Sequence, residues 1–340
     1  MAERAAADSG VLGRLRLDDP EFESRLGEAL AGAEKLLQDS ARGADDPRIA
    51  DLTGHLAAAG GKRMRPVLVL LGAEFGDPWR HGVLQAAVIA ELVHLSSLYH
   101  DDVMDEAATR HGVPSANVRW GHRTAVFGGD WLLARSAQLA ADLGPHALRL
   151  NAETAGRLVA GQLRELTGPA PDEDPVSHYF QVTAGKTAAL LSMSLGIGAL
   201  QAEAPEPYVR ALTEYGEHLG AAFQIADDLL DLAAPAEATG KERGKDLLAG
   251  VPSLPVLLAL ADRDPGNAEL RALLADGPVT DPAAHRRALE LFTDAPATAR
   301  AEAIMHQRLA VARDALGLLP RCTARRALDA LCDFVAFRTS

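Results

Sequence analysis

Two segments far apart in this chain end in the same way. Ser96–Asp105 reads SSLYHDDVMD and Ala222–Asp231 reads AFQIADDLLD, each an apolar run closing on Asp-Asp-x-x-Asp. At about 100° per residue, helical positions i, i+1 and i+4 fall within about 100° of arc. Asp101, Asp102 and Asp105 therefore share one helix face, and Asp227, Asp228 and Asp231 share another. Any fold must carry both runs as helices, buried for most of their length, with carboxylates gathered at their ends.

Acidic triplets are ordinary on solvated helix faces. These follow runs too apolar for an exposed helix, and neither has the i+4 lysine of a surface ion-pair ladder. Carboxylates grouped near an apolar interior repel one another or take up protons. A divalent cation removes the conflict. An all-oxygen donor set suits Mg²⁺ better than Zn²⁺, and Mg²⁺ keeps waters and shares substrate phosphates. The triplets read as two halves of a diphosphate clamp. His100, just before the first, reads as a packed histidine rather than a further ligand.

The rest of the chain agrees with an all-α fold. Apolar residues make up 48% and aromatics only 4%, with Ala and Leu dominant, which favours helix over sheet. Helical periodicity is expected over 20–41, 48–59, 64–75, 81–105, 122–143, 146–166, 175–200, 206–234, 252–263, 281–293, 296–318 and 321–337, with no convincing strand. Residues 1–18 read as a flexible N-terminus and 19–340 as a single domain, a large bundle of helices around an apolar cavity. The polar loop 235–250 reads as a lid. A net charge of −13 argues against nucleic acid as a partner. Glu91 and His94 interrupt the apolar run 82–99, so no membrane span is expected. The N-terminus lacks the apolar core of a signal peptide, and Cys322 and Cys332 read as free thiols of a reducing cytoplasm.

Other segments carry chemistry too. In Gly60-Gly61-Lys62-Arg63-Met64-Arg65-Pro66, two glycines free the backbone and three cations precede a helix. That is a natural oxyanion site, whereas a merely basic helix start would oppose the helix dipole. Lys186-Thr187 sits in a run rich in Ala, Leu and Met, where a buried lysine needs an anion. Gln162 and Glu165 share a helix face, and Phe223-Gln224 precedes the second triplet.

Together these motifs, in this order from about Gly60 to Pro255, resemble the trans-isoprenyl diphosphate synthases, or polyprenyl synthetases. The resemblance implies an isoprenoid-synthase fold and a Mg²⁺-dependent prenyltransferase, with three ions per active site, that joins isopentenyl diphosphate to an allylic diphosphate. It implies metal binding by Asp101, Asp102, Asp105, Asp227, Asp228 and Asp231, and ionisation of the primer by these carboxylates with Lys186. Lys62, Arg65 and His94 would hold isopentenyl diphosphate. Arg110, His111, Lys186, Thr187, Gln224 and Lys241 complete the substrate contacts. Two positions depart from the pattern: His111 stands where the family has a second arginine, and Val251 where it often has a lysine. Dimers are usual in the family, so a homodimer is expected.

Chain length is read from the residues a turn before the first triplet, where bulky aromatics stop the product early in this family. Here Ser96 and Ser97 are small, as are Ala90, Ala87 and Ala86 deeper on the run, so a product longer than farnesyl is expected, with geranylgeranyl diphosphate as the alternative. Three rival readings fit less well. A class I terpene synthase carries an Asn-Ser/Thr-Glu pattern at the second metal motif. A regulatory subunit of a heteromeric synthase commonly loses aspartates that are all present here. A di-iron bundle needs a partner for the single Glu91–His94 pair.

Overall fold

Several helix starts are written as Asp-Pro pairs. Asp19, Asp46, Asp174 and Asp281 each accept a backbone N–H in the first turn, and the proline that follows has no N–H to lose there. The computed structural model describes residues 18–233 and 243–337, and the fold is all-α.

The chain opens with α1 (Pro20–Ala41), α2 (Pro47–Ala58), α3 (Met64–Ala73) and α4 (Gly82–Met104). A small hairpin follows, β1 (Thr109–Arg110) antiparallel to β2 (Val113–Pro114). Next come α5 (Ala116–Trp120), α6 (His122–Asp142) and α7 (Pro145–Thr167). α8 (Pro175–Thr183) runs through a π-helical turn, Ala184–Ala188, into α9 (Ala189–Gln201). Then follow α10 (Glu206–Ala233), α11 (Lys245–Ala249), α12 (Leu254–Ala261), α13 (Ala268–Leu274), α14 (Pro282–Thr293), α15 (Pro296–Ala315) and α16 (Thr323–Ala336).

The differences from the sequence reading have local causes. The expected helix over 175–200 is interrupted by the π turn. The hairpin corrects the expectation of no strands: His111 (φ 50°) and Gly112 (φ 80°) form its two-residue connection with both φ positive, as a type I′ turn requires. Strands of two residues leave no alternating pattern to read. α5, α11 and α13 are likewise too short for helical periodicity to show.

Contacts divide the chain into two compact units. The first comprises Met1–Leu158, Ala189–Gly216 and Ala315–Ala330. Its centre is α4, buried on nearly every turn and packed against α1, α3, α6 and α9. α4 is long and apolar enough to cross a membrane, but here it is mostly buried inside the protein. The Tyr99 hydroxyl, fully buried, donates to the Leu52 carbonyl on α2. α3 and α9 meet through reciprocal glycines: a Cβ on Gly72 would strike the Leu195 carbonyl, and one on Gly198 the Val69 carbonyl. The second unit comprises Val159–Ala188, Glu217–Asp314 and Leu331–Ser340. There α12 packs on α8 and α14 on α13, over Leu247, Leu254, Leu258, Leu270 and Phe292.

Candidate functional site

In the first unit, the C-terminal turn of α4 carries Asp101, half-buried, Asp102, fully buried, and Asp105, exposed. Arg110, at the end of β1, lays Nε and Nη2 on one oxygen of Asp102 at 2.8 and 2.6 Å. The other oxygen, Oδ2, is buried with no hydrogen-bond partner. A buried carboxylate oxygen left without a donor is costly, and a cation answers it.

The Gly60–Pro66 segment has positive φ at Gly60, Gly61 and Arg63. That path turns Arg63 inward, where it pairs with Glu34 at 2.6 Å and with buried Glu91 at 3.0 Å, while Lys62 stays exposed. Arg65 Nη1 lies 3.1 Å from His94 Nε2. A guanidinium only donates, so that nitrogen accepts. Burial, and then the Arg65 charge, hold the His94 imidazole well below the usual histidine range. His111, on the hairpin turn, is likewise held low by partial burial and by Arg110 and Arg63. Ser96 is buried and Ser97 half-buried, its hydroxyl donating to the His94 carbonyl. His100 lies 3.1 Å from the Val126 carbonyl and 3.2 Å from Asp130, in keeping with a packed role.

In the second unit, buried Asp228 is held by neutral donors. Tyr179 Oη and the Leu254 N–H donate to Oδ2 at 2.7 and 3.0 Å, and Gln224 Nε2 donates to Oδ1 at 3.1 Å. Gln224 in turn accepts from the Thr187 hydroxyl at 2.9 Å. Burial still pushes Asp228 up to about 6, with Asp227 adding to the shift. Lys186, on the π turn, pairs with Glu165 at 2.5 Å. Gly161 permits this, since a Cβ there would meet the backbone of Gly185 and Lys186. Asp231 accepts the N–H groups of Lys245 and Asp246 at 3.1 and 3.0 Å and so caps α11. Asp246 is pushed up to about 7 by burial and by the carboxylates of Asp231, Asp228 and Asp227. Sequence reasoning missed Tyr179 and Asp246, and the structure removes Arg63 from the group of cations it was read into, since Glu34 and Glu91 take its guanidinium. Lys241, and the lid expected over 235–250 as far as residue 242, lie outside the described residues. Val251 is exposed.

Among the described residues, no three His, Cys, Asp or Glu side chains stand close enough to hold a metal ion by themselves. Within each unit the donors nonetheless suit a cation that takes other ligands as well: hard oxygens with one orphaned at Asp102 in the first, and crowded carboxylates around Asp228 in the second. Such a set fits Mg²⁺ that completes its shell with water and phosphate oxygens.

Comparison with known proteins agrees with this chemistry. The family described as polyprenyl synthetase matches residues 46–292. The nonaprenyl diphosphate synthase of Mycobacterium tuberculosis is 41% identical over 96% of this chain and 98% of its own length. Component 2 of the heptaprenyl diphosphate synthase of Geobacillus stearothermophilus is 37% identical over 93% of this chain and 97% of its own. Among solved structures, geranylgeranyl pyrophosphate synthase from Corynebacterium glutamicum, complexed with calcium and isoprenyl diphosphate, superposes with a TM-score of 0.85 at 38% identity, covering 94% of this chain and 98% of its own. A decaprenyl diphosphate synthase from Rhodobacter capsulatus gives 0.84 at 33% identity, covering 93% and 98%.

Proposed function

The chain belongs to the polyprenyl synthetase family, and from that premise we propose the roles of its residues, its assembly and the length of its product. It is a Mg²⁺-dependent trans-prenyltransferase that condenses isopentenyl diphosphate with an allylic diphosphate. The observation that carries the assignment is the pair of aspartate triplets, each with a buried member held in place by its own partners, Arg110 for Asp102 and Tyr179 with Gln224 for Asp228.

The reaction begins when the allylic C–O bond breaks and negative charge gathers on the leaving diphosphate. Mg²⁺, when bound, supplies electrostatic stabilisation of that charge. Asp101, Asp105 and the free Oδ2 of Asp102 would hold it at the first triplet, and Asp227 with Asp228 at the second, while Asp102 and Asp228 also orient Arg110 and Gln224. Asp231 adds charge while anchoring α11. Lys186 and Lys241 donate to the leaving group, and Thr187, whose hydroxyl donates to Gln224, holds that amide beside it. Lys62, Arg65, His94 and His111 bind isopentenyl diphosphate, with His94 accepting from Arg65 and so fixing its guanidinium. The double bond of isopentenyl diphosphate attacks the allylic cation, a C–C bond forms, and the released diphosphate takes the proton. Three Mg²⁺ ions serve each site.

The product is longer than farnesyl diphosphate, of the long-chain type that several relatives' names describe. Ser96 and Ser97 leave room one turn before the metal carboxylates. We place the enzyme in the cytoplasm as a homodimer. Val159, Leu163 and Leu166 support the dimer: they are each more than half exposed and, at i, i+4 and i+7, line one face of α7. A second reading, in which the chain works only beside another kind of subunit, draws on the relative that is itself a component. A product assay on the purified chain, with labelled isopentenyl diphosphate and several allylic primers, tests the activity and the product length. Products beyond fifteen carbons support the assignment; no turnover by the chain alone favours the second reading.

A further inference from the structure

The four residues assigned to the homoallylic diphosphate come from separate segments. Lys62 and Arg65 follow α2, His94 lies on α4, and His111 lies on the hairpin beside Arg110. A ribbon with two residues in each strand does not hold its shape unaided. Its neck is closed by Ser115, whose N–H donates to the Ala108 carbonyl and whose hydroxyl donates to that of Ala107. Its tip rests on the glycine loop, since a Cβ on Gly61 would stand 3.4 Å from His111 Cε1.

A second bridge crosses from α2 to the end of the hairpin. His55, in the last turn of α2, places Nε2 2.8 Å from the carbonyl of Pro114, the last residue of β2. A carbonyl only accepts, so Nε2 carries the proton. Nδ1 then accepts from Arg119 Nη1 at 3.2 Å. The ring meets Trp120 edge-on, with centroids 5.0 Å apart and an interplanar angle of 79°. The Arg119 guanidinium lies over the Trp120 ring, 4.4 Å from its centroid. Both imidazole nitrogens and one ring edge are thus engaged, all toward the hairpin or the short helix that follows it. α2 therefore holds the hairpin at both ends: through His55 at Pro114 and through the loop that continues from α2 at His111. Nothing in the chemistry of the reaction requires these three side chains to touch substrate.

Resting on the assignment of isopentenyl diphosphate to Lys62, Arg65, His94 and His111, we propose that His55 is a positioning residue for that substrate: with Arg119 and Trp120 it fixes the hairpin in register with the Gly60–Gly61 loop, so that both cationic segments meet one diphosphate.

The test uses the full chain, initial rates with isopentenyl diphosphate and farnesyl diphosphate, and a melting temperature for every variant. His55→Ala and His55→Asn are expected to raise KM for isopentenyl diphosphate about 3- to 10-fold, the range set by losing one or two solvent-facing contacts. KM for the allylic primer and kcat should stay within about twofold. His55→Gln, whose Nε2 can reach the Pro114 carbonyl, should return the constant to within about twofold of wild type. Arg119→Ala should give the same selective rise, smaller, and stands in if His55→Ala does not fold. Parallel rises in both KM values, unchanged kinetics in a folded His55→Ala, or a Gln variant no better than Ala would overturn the proposal. A wild type unable to use isopentenyl diphosphate would overturn the functional assignment and the proposal with it. A fully active wild type with indifferent His55 and Arg119 variants would overturn the proposal alone.

Discussion

The two aspartate triplets have the same sequence form and opposite surroundings. Asp102 is met by a single cation, Arg110, and keeps one buried oxygen without a donor. Asp228 is met by three neutral donors, and its neighbours are more carboxylates, Asp227 and, further on, Asp246. The chain itself neutralises part of the first cluster. The second holds its charge by hydrogen bonds and leaves more of it for an external cation. A motif therefore fixes which atoms face the metal and leaves open how they are kept ionised; that is set by residues outside the motif.

Deleting the buried carboxylates should have the largest effect. Asp102→Ala and Asp228→Ala are each expected to lower kcat by about 10³-fold or more, equivalent to about 4 kcal/mol of barrier, with circular dichroism unchanged. Near-normal turnover by either variant at saturating Mg²⁺ would show that its triplet does not serve catalysis.

Removing the partners instead sharpens the contrast. Arg110→Ala takes away a charge-assisted fork and should cost about 10²-fold in kcat/KM, whereas Tyr179→Phe removes one neutral donor of three and should cost about 10-fold or less. Equal losses would mean that the two clusters are kept ionised in the same way.

An exchange between the triplets tests chain length. Four residues before Asp101 stands Ser97, and four before Asp227 stands Phe223. Ser97→Phe gives the first run the residue of the second. It should shorten the product by several prenyl units, each about one helical turn of 5.4 Å, while the first condensation keeps most of its rate. Thin-layer or mass analysis of the products decides it, and an unchanged distribution would remove Ser97 as a determinant.

The smallest effect is on stability without metal. Asp246 sits at about 7 and Asp228 at about 6 in the folded chain, against 3.8 as the ordinary value. A raised carboxylate favours the folded form only while it stays protonated. The metal-free protein should therefore lose stability as pH rises from about 4 through 7, by a few degrees in Tm. Mg²⁺ should restore it, and Asp246→Asn should flatten the slope. A metal-free Tm that rises over that window would contradict the crowding.

Much of the fold is legible because it is written in repeated local signals. The Asp-Pro starts and the apolar run of α4 are enough to place those helices to within a residue or two. The hairpin is not legible, because its turn is made by His111 in a left-handed conformation and its strands are two residues long. At the site, the triplets and the cationic loop can be read from spacing. The inward turn of Arg63 to Glu91 cannot, since 28 residues separate the pair and neither signals the other. The cap that Asp231 provides to α11 was equally hidden: a metal-facing residue and a helix-capping residue have the same letter, and only the fold assigns the second role.

The π turn at Ala184–Ala188 has a consequence for how this stretch can change. A π turn holds one residue more than an α turn over nearly the same rise, which shifts the phase of everything beyond it by about 100°. It amounts to a single-residue insertion absorbed without breaking the rod. Removing one residue here, Gly185 for instance, would leave an unbroken α-helix of ordinary appearance. Lys186 and Thr187 would then point elsewhere relative to Tyr179. Such a deletion would erase the contacts to Glu165 and Gln224 while leaving composition, helicity and apolar pattern almost untouched, a loss that a helix-content measurement would not register.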